Sequence, residues 1–394
     1  MRSSPSSLMS PGICREGPFR LALAITMLAV AAFLAACTGE QPSRPVPAPP
    51  PAAPTPEPRP VALPADEAKH GDGLEWWYYH GHLNSPETGE EFGFHFVIFQ
   101  AQTPGGVPLY ASQLGLTDVR QGTHVSTARV AVGGQATGND MLELVIGGWS
   151  LSIDGAGHTV SAADGTSSGF GVDLRMTRPS TPMLHNETGW MGGPNGWTYY
   201  YSWPRMTAEG DVTVQGRKIG VTGEVWMDHQ WGDFFVLGHP AGWQWFAIQL
   251  DDGSSLMLQE FRDIEGKSVS AFGTLLPPDG QPGSPGQTTL QPGAYTVEVL
   301  DYWRSPETGA DYPSKWRVRV PSQGLDLEIE PVVAGQEITR GVPPAAIYWE
   351  GKSSVTGTKD GQPVAGRAYV ELTGYVDAPG PKWMSGTGGK SKGN

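Results

Sequence analysis

Between about Asp66 and Pro379 the chain has no stretch with a 3.6-residue apolar period and helix caps. What recurs is a run of five to ten aromatic or β-branched residues, closed each time by Gly, Pro, Asn or Asp. The clearest runs are LEWWYYHGHL (74–83), EFGFHFVIFQ (91–100), WTYYYSWPRM (197–206), IGVTGEVWM (219–227), WQWFAIQL (243–250), SLMLQEFRD (255–263), WRVRV (316–320) and GRAYVELTGY (366–375). Short runs with this spacing predict an all-β chain of closed or sandwiched antiparallel sheets. Asp251-Asp252-Gly253 reads as a hairpin turn, because such turns need positive φ. Pro204, Pro278, Pro313 and Pro321 are expected at strand ends or edges, where no ladder N–H is required.

Several runs are aromatic on both faces. Strict alternation puts Tyr199, Tyr201, Trp203 and Arg205 on one side of 197–206, with Tyr200, Ser202 and Met206 on the other. A simple sandwich strand needs only one apolar face. A barrel enclosing an apolar cavity, packed on its outside by a second domain, uses two; so does a thick core between sheets.

Composition sharpens the division of the chain. The 54 Gly and 36 Pro of its 394 residues would suit a disordered protein, but 14 Trp, 12 Tyr and 12 Phe would not. All the Trp lie from Trp76 onward, and both cysteines, Cys14 and Cys37, lie before it. The first 64 residues hold five basic and three acidic side chains, which leaves 21 basic against 37 acidic in the body. So acidic a body is a poor partner for nucleic acid. Without Cys it has no disulfide, no Cys-ligated zinc and no thiol nucleophile.

Arg2, Arg15 and Arg20 precede an apolar run, Leu21 to Ala36, which is too short to span a bilayer and suits a secretory signal. It ends in Leu34-Ala35-Ala36-Cys37, which resembles the lipobox of bacterial lipoproteins; the resemblance implies cleavage before Cys37 and lipidation of its sulfur. Residues 41–64 then carry 11 Pro in 24 positions, a semi-rigid polyproline spacer. The expected organisation is a signal peptide (1–36), a tether after lipidated Cys37 (37–65), a first barrel domain (66–210), a second (211–380) and a disordered tail (381–394). The expected location is an exported bacterial lipoprotein on a membrane, facing the periplasm or the exterior.

Four segments carry a family resemblance. GLEWWYYHGHL (73–83) with GEEFGFHFVIFQ (89–100) looks like an opening hairpin, and YYYSWPRMTAEGDVTVQGRKIGVTGEVWMDHQWGDF (199–234) like a central signature ending in W-x-D-H-x-W-G. GWQWFAIQLDDGSSLMLQEFRD (242–263) and the pair YWEGKSSVTG and GRAYVELTGY (348–357, 366–375) complete it. Together they resemble the AttH and carotenoid 1,2-hydratase family, a lipocalin-like group. The resemblance implies two packed lipocalin-type barrels, an apolar small molecule as partner, no cofactor and no metal. Relatives hydrate carotenoids or, in fungi, cyclise polyketides. The M-D-H-Q wording lies nearer the AttH side, which lowers the expectation of a hydratase.

Adding water to an isolated alkene takes an acid that protonates carbon, aromatic faces that tolerate the cation, and a delivered water. Asp228 is the candidate acid, since burial raises a carboxyl pKa, and the matching position in the family's hydratases has been given that role. His229 would assist it, and Tyr201, Trp226 and Trp231 would surround the cation. Trp76, Trp77, Trp203, Trp243 and Trp245 complete the expected apolar lining. An Asp-His pair at a strand end also commonly caps a turn. Glu75, in an aromatic strand, wants a cation, and Arg205 is the expected partner in a structural ion pair. His80, His82 and His95 are on neighbouring strands; hydrogen-bonded imidazoles are the commoner outcome there than a metal site. The readings left standing are a hydro-lyase resembling carotenoid 1,2-hydratases, a non-catalytic carrier of apolar ligands, and a Trp-rich carbohydrate binder.

Overall fold

The computed structural model describes residues 56–376 except 104–105, 134, 138–141, 167–168, 180, 194–195, 235–241, 264, 279–285 and 343–346. The expected signal peptide, Cys37, most of the tether and the tail 381–394 lie outside the described residues.

The described chain is all-β, in two curled, barrel-like antiparallel sheets. The first contains β1 (Leu74–Asn84), β2 (Glu91–Gln102), β3 (Pro108–Asp118), β4 (Thr123–Val132), β5 (Gln135–Thr137), β6 (Leu142–Ile146), β7 (Trp149–Asp154), β8 (Gly157–Ala163) and β9 (Gly171–Thr177). It is completed by the short β10 (Met183–Leu184) and β11 (Trp190–Gly193) and the long β12 (Gly196–Val214) and β13 (Arg217–Phe234). Its order is β4-β3-β2-β1-β13-β12-β9-β8-β7-β6-β5, with β10 and β11 paired to β12. The second contains β14 (Gly242–Leu250), β15 (Ser255–Arg262), β16 (Ser268–Leu276), β17 (Thr288–Leu290), β18 (Thr296–Arg304), β19 (Asp311–Val320), β20 (Leu325–Pro331), β21 (Glu337–Ile338), β22 (Tyr348–Lys359) and β23 (Gln362–Thr373). Here the order is β17-β16-β15-β14-β23-β22-β20-β19-β18, with β21 on β22.

Each sheet wraps its own apolar core. Trp77, Phe94, Phe96, Leu151, Leu174 and Met227 belong to the first, and Phe246, Leu258, Trp316, Val318, Trp349 and Val370 to the second. A third cluster (Met183, Tyr200, Trp226, Trp245, Ala247, Met257) draws on both sheets and forms the layer where they meet. This layer accounts for the aromatic second face. Along β1, Trp77, Tyr79 and Leu83 enter the first core, while Tyr78, His80 and His82 alternate toward the second sheet. Gly93 on β2 lets the sheets approach, since a Cβ there would lie 2.5 Å from the Tyr369 hydroxyl and 2.9 Å from Lys352 Cβ.

The turns follow the sequence signals. Gly253 has φ 90° and its N–H donates to Leu250 O, closing the expected hairpin between β14 and β15. Gln215 and Gly216 (φ 50° and 76°) join β12 to β13, and Asp360 and Gly361 (51° and 76°) join β22 to β23 in the same way. Pro278 and Pro321 follow strand ends, as expected. Pro204 and Pro313 do not. Both sit inside strands beside register shifts, where a missing N–H is tolerated.

Two expected boundaries move. The division at 210/211 falls inside β12, because β12 and β13 are one long hairpin of the first sheet; the second sheet begins at Gly242. Residues 59–65, assigned to the tether, are already seated on the first sheet. Val61 is buried and its N–H donates to Thr188 O at 2.8 Å, and Arg59 pairs with the buried Asp66.

Candidate functional site between the two sheets

Asp228 lies on β13 with Trp226, on the face turned to the second sheet, and is 5% exposed. Three side chains donate to its carboxylate. The Tyr200 hydroxyl reaches Oδ2 at 2.7 Å, and the Trp226 indole N–H and the Ser202 hydroxyl both reach Oδ1, the former at 2.7 Å. Burial pushes the Asp228 pKa up and the three donors pull it back, leaving it raised to about 6. Trp245 of β14 donates its indole N–H to the Tyr200 oxygen at 3.1 Å and stands edge-on to Trp226. The carboxyl is therefore enclosed by aromatic rings from both sheets.

A relay leads away from it across the layer. Ser202 spends its hydrogen on Asp228, so at 2.9 Å His185 Nε2 must be the donor to Ser202 Oγ. His185 Nδ1 then accepts from the Thr274 hydroxyl of β16, also at 2.9 Å. The ring is neutral, since burial depresses its pKa to about 3. Thr274, His185, Ser202 and Asp228 thus form one oriented chain of hydrogen bonds.

His229, Tyr201 and Trp231 were expected around Asp228, and strand alternation sends all three the opposite way, into the first barrel. There His229 Nε2 donates to Glu75 Oε1 at 2.9 Å and the Tyr201 hydroxyl lies 3.3 Å from His229 Nδ1. His70 adds its Nδ1 at 2.9 Å from Glu75 Oε1 and its backbone N–H, and stacks on Trp231 at 3.9 Å. Burial opposes the charged His70 ring, yet bonds to Asp66 and Glu75 prevail and raise its pKa. His70, Glu75 and His229 place their ligand atoms within 4.8 Å of one another and are the described group best able to hold a metal. Their lone pairs and protons are already matched by hydrogen bonds.

Glu75 and Arg205 do not pair. Arg205 follows Pro204 in a bulge between Trp203 and Met206, which reverses the alternation of β12. Met206 therefore joins Tyr201 and Trp203 in the first core. Arg205 turns outward and donates to Leu250 O at 2.6 Å, Ser254 O at 2.9 Å, Ser255 Oγ at 3.0 Å and Glu224 at 3.2 Å.

Among the tryptophans, Trp226, Trp245 and the half-buried Trp243 belong to the layer, and Trp76 shares its face at the rim. Trp77, Trp203 and Trp231 pack in the first core instead. His80 and His95 are direct cross-strand partners on the layer face. Residues that sequence reasoning did not single out complete the layer: Tyr78, His185, Ser202, Thr274, Glu350 and Glu371. Tyr78 and Ser202 are Cα partners of Asp228 on its two flanking strands, the latter a pairing that counting from the β12–β13 turn misses because of the bulge. His185 lies in a turn with no periodicity to announce it. A separate polar cleft of about 440 Å³, lined in part by Asp118, His124 and Arg340, shares no residue with this layer.

The sequence profile of the AttH-like family matches residues 54–375. A crystal structure of a candidate AttH protein from Nitrosomonas europaea superposes with a TM-score of 0.72 at 29% identity, covering 82% of this chain and 99% of that one. Kievitone hydratase from Nectria haematococca superposes with a TM-score of 0.64 at 16% identity, over 80% and 93%. No curated protein matches by sequence. The profile takes in both curled sheets and the layer between them, from the seated end of the tether to the last strand, and the chain is a member of the AttH-like family.

Proposed function

We propose that this chain is an exported, lipid-anchored protein that holds a long apolar, isoprenoid-type molecule at the inter-sheet layer and adds water across one of its C=C bonds, with Asp228 as an acid–base group. The observation that carries the reading is a buried carboxyl group poised near neutral pH among aromatic rings of both sheets. Hydration asks for an acid, a base and walls that tolerate a carbocation. The faces of Trp226, Trp245 and Tyr200 supply such walls, each worth about 2 kcal/mol or more when dry. The fold shared with kievitone hydratase supports the same reaction class. Export and anchoring rest on the signal-like run and the lipobox ending at Cys37.

The test is to incubate the full-length protein in detergent with acyclic polyenes such as lycopene and analyse for hydroxylated products. Conversion by wild type and none by Asp228→Asn is the expected result. Binding without product in either would make the protein a carrier. No binding of any polyene would end both readings.

A further inference from the structure

The layer carries a second acid group, supplied by the other sheet. Glu350 on β22 and Glu371 on β23 are direct cross-strand partners. Glu350 is 1% exposed; its Oε2 accepts from the Tyr78 hydroxyl of the first sheet at 2.7 Å. Its Oε1 is buried and has no partner among the described residues. Two carboxylates on directly opposed residues repel each other, and one proton held between them removes the conflict. Burial first, then the charge of Glu371, push Glu350 well above the carboxylate range. Burial lifts Glu371 to about 7, against a hydrogen bond from Trp243 and helped by the charge of Asp228.

Asp228 is the opposite kind of group. Three donors converge on it, an environment that favours the ionised acceptor. Tyr78 stands between the two, as the Cα partner of Asp228 and the donor to Glu350. Two residues along β1, His80 is 2% exposed, packed against Trp226, Trp245 and Tyr369. Neither of its ring nitrogens has a partner among the described residues. Orphaned buried nitrogens are costly. A ring in that state has a donor and an acceptor to offer a water or a hydroxyl of a bound molecule.

Resting on the function proposed above, we propose that Glu350 and Glu371 share one proton and form the acid of this site, that Asp228 is its base, and that His80 receives the water. In the reaction, the shared carboxyl O–H breaks and its proton forms a C–H bond with one alkene carbon, using the π pair and leaving a cation on the other. Water bonds to that cation through oxygen and yields its surplus proton to the Asp228 carboxylate. Transfer of that proton from Asp228 back to the glutamate pair restores the protein, and the net change is addition of one water.

Two measurements on the full-length protein test this. Infrared difference spectra at pH 7.5, wild type minus the Glu350→Gln/Glu371→Gln double variant, are expected to show the C=O band of a protonated carboxyl, and the same band is expected to remain in Asp228→Asn. Gln keeps the shape and an acceptor for the Tyr78 hydroxyl, so the double variant is expected to fold. Absence of the band overturns the proposal. With a polyene that wild type converts, Glu350→Gln is expected to lower kcat about 100-fold or more with a smaller change in KM. Wild-type turnover by Glu350→Gln beside a dead Asp228→Asn overturns the assigned acid and leaves the hydratase reading intact. No conversion by wild type, with the band present, removes the hydratase reading and the catalytic role but upholds the shared proton.

Discussion

Ser202 faces Asp228 across β12 and β13 because one residue too many lies between them and the turn. From that turn, Val214 pairs with Arg217 and the register holds to Met206 and Val225; beyond the bulge, Trp203 pairs with Met227 and Ser202 with Asp228. Without the bulge, Asp228 would face Trp203. The bulge gives the carboxyl a hydroxyl donor, which in turn fixes the tautomer of His185.

Asp228 should leave a signature in stability against pH. Its pKa rises from 3.8 to about 6 on folding, so the fold disfavours the ionised form. The penalty is absent below about pH 4, grows as pH rises through the folded value, and is complete above it, at roughly 3 kcal/mol. Asp228→Asn lacks this term. Its stability relative to wild type should therefore improve by up to about 3 kcal/mol between pH 4 and pH 7, read from urea midpoints at several pH values. Parallel pH profiles for the two proteins would refute the assignment.

The Glu75 cluster predicts a different pattern. Glu75→Gln removes the buried negative charge and one of the two acceptor oxygens that serve His229 and His70, and breaking such a pair costs about 3–5 kcal/mol. Because the folded pKa of His70 is raised, its contribution is complete below about pH 6.5 and is lost as pH rises through the folded value. The variant should therefore be hurt more at pH 6 than at pH 9 in a denaturant titration. Ligand binding by the surviving folded protein should be unchanged, since these groups face the first core. A large loss of polyene affinity would show that the core, not the layer, holds the ligand.

How far the sequence could be read follows from what strands do and do not reveal. Strand runs, turns and the two-faced aromatic pattern are local properties, and the structure bears them out at β1, β12 and the Asp251-Asp252-Gly253 turn. Alternation alone separates Asp228 from His229, so adjacent residues of W-x-D-H-x-W-G face two different interiors. The Glu75–Arg205 pairing failed for a subtler reason. A bulge at Pro204 inverts the parity of everything before it relative to the turn, and no pattern of apolar residues states that. Thr274, Glu350 and Glu371 join the layer around Asp228 only through packing of one sheet on the other, a relation invisible to periodicity within either.

The relay to Thr274 can be tested at the far end from the carboxyl. Thr274→Val removes the hydroxyl that donates to His185 Nδ1 and leaves that nitrogen buried without a partner, at a cost of about 1–3 kcal/mol. In wild type, nitrogen NMR should find His185 neutral, protonated at Nε2, down to about pH 4, since burial holds its pKa near 3. In the variant, Nδ1 should show the shift of an acceptor that has lost its donor while Nε2 stays protonated. A His185 ring found protonated at Nδ1 in wild type would reverse the direction of the whole chain.

Arg205 ties the sheets together in a way only a guanidinium can. Its Nη2 reaches both Leu250 O and Ser254 O at the turn between β14 and β15, its Nε reaches Ser255, and Nη1 reaches Glu224, which also pairs with Arg367. Lysine keeps the charge but lacks the planar fork. If backbone capture at this turn is what Arg205 does, Arg205→Lys should cost about 1–3 kcal/mol and speed hydrogen exchange across residues 250–255. If only the charge beside Glu224 matters, Arg205→Lys should match wild type in both measurements. The geometry favours the first result, because three of the four bonds go to the turn and the first residue of β15 and only one to a carboxylate.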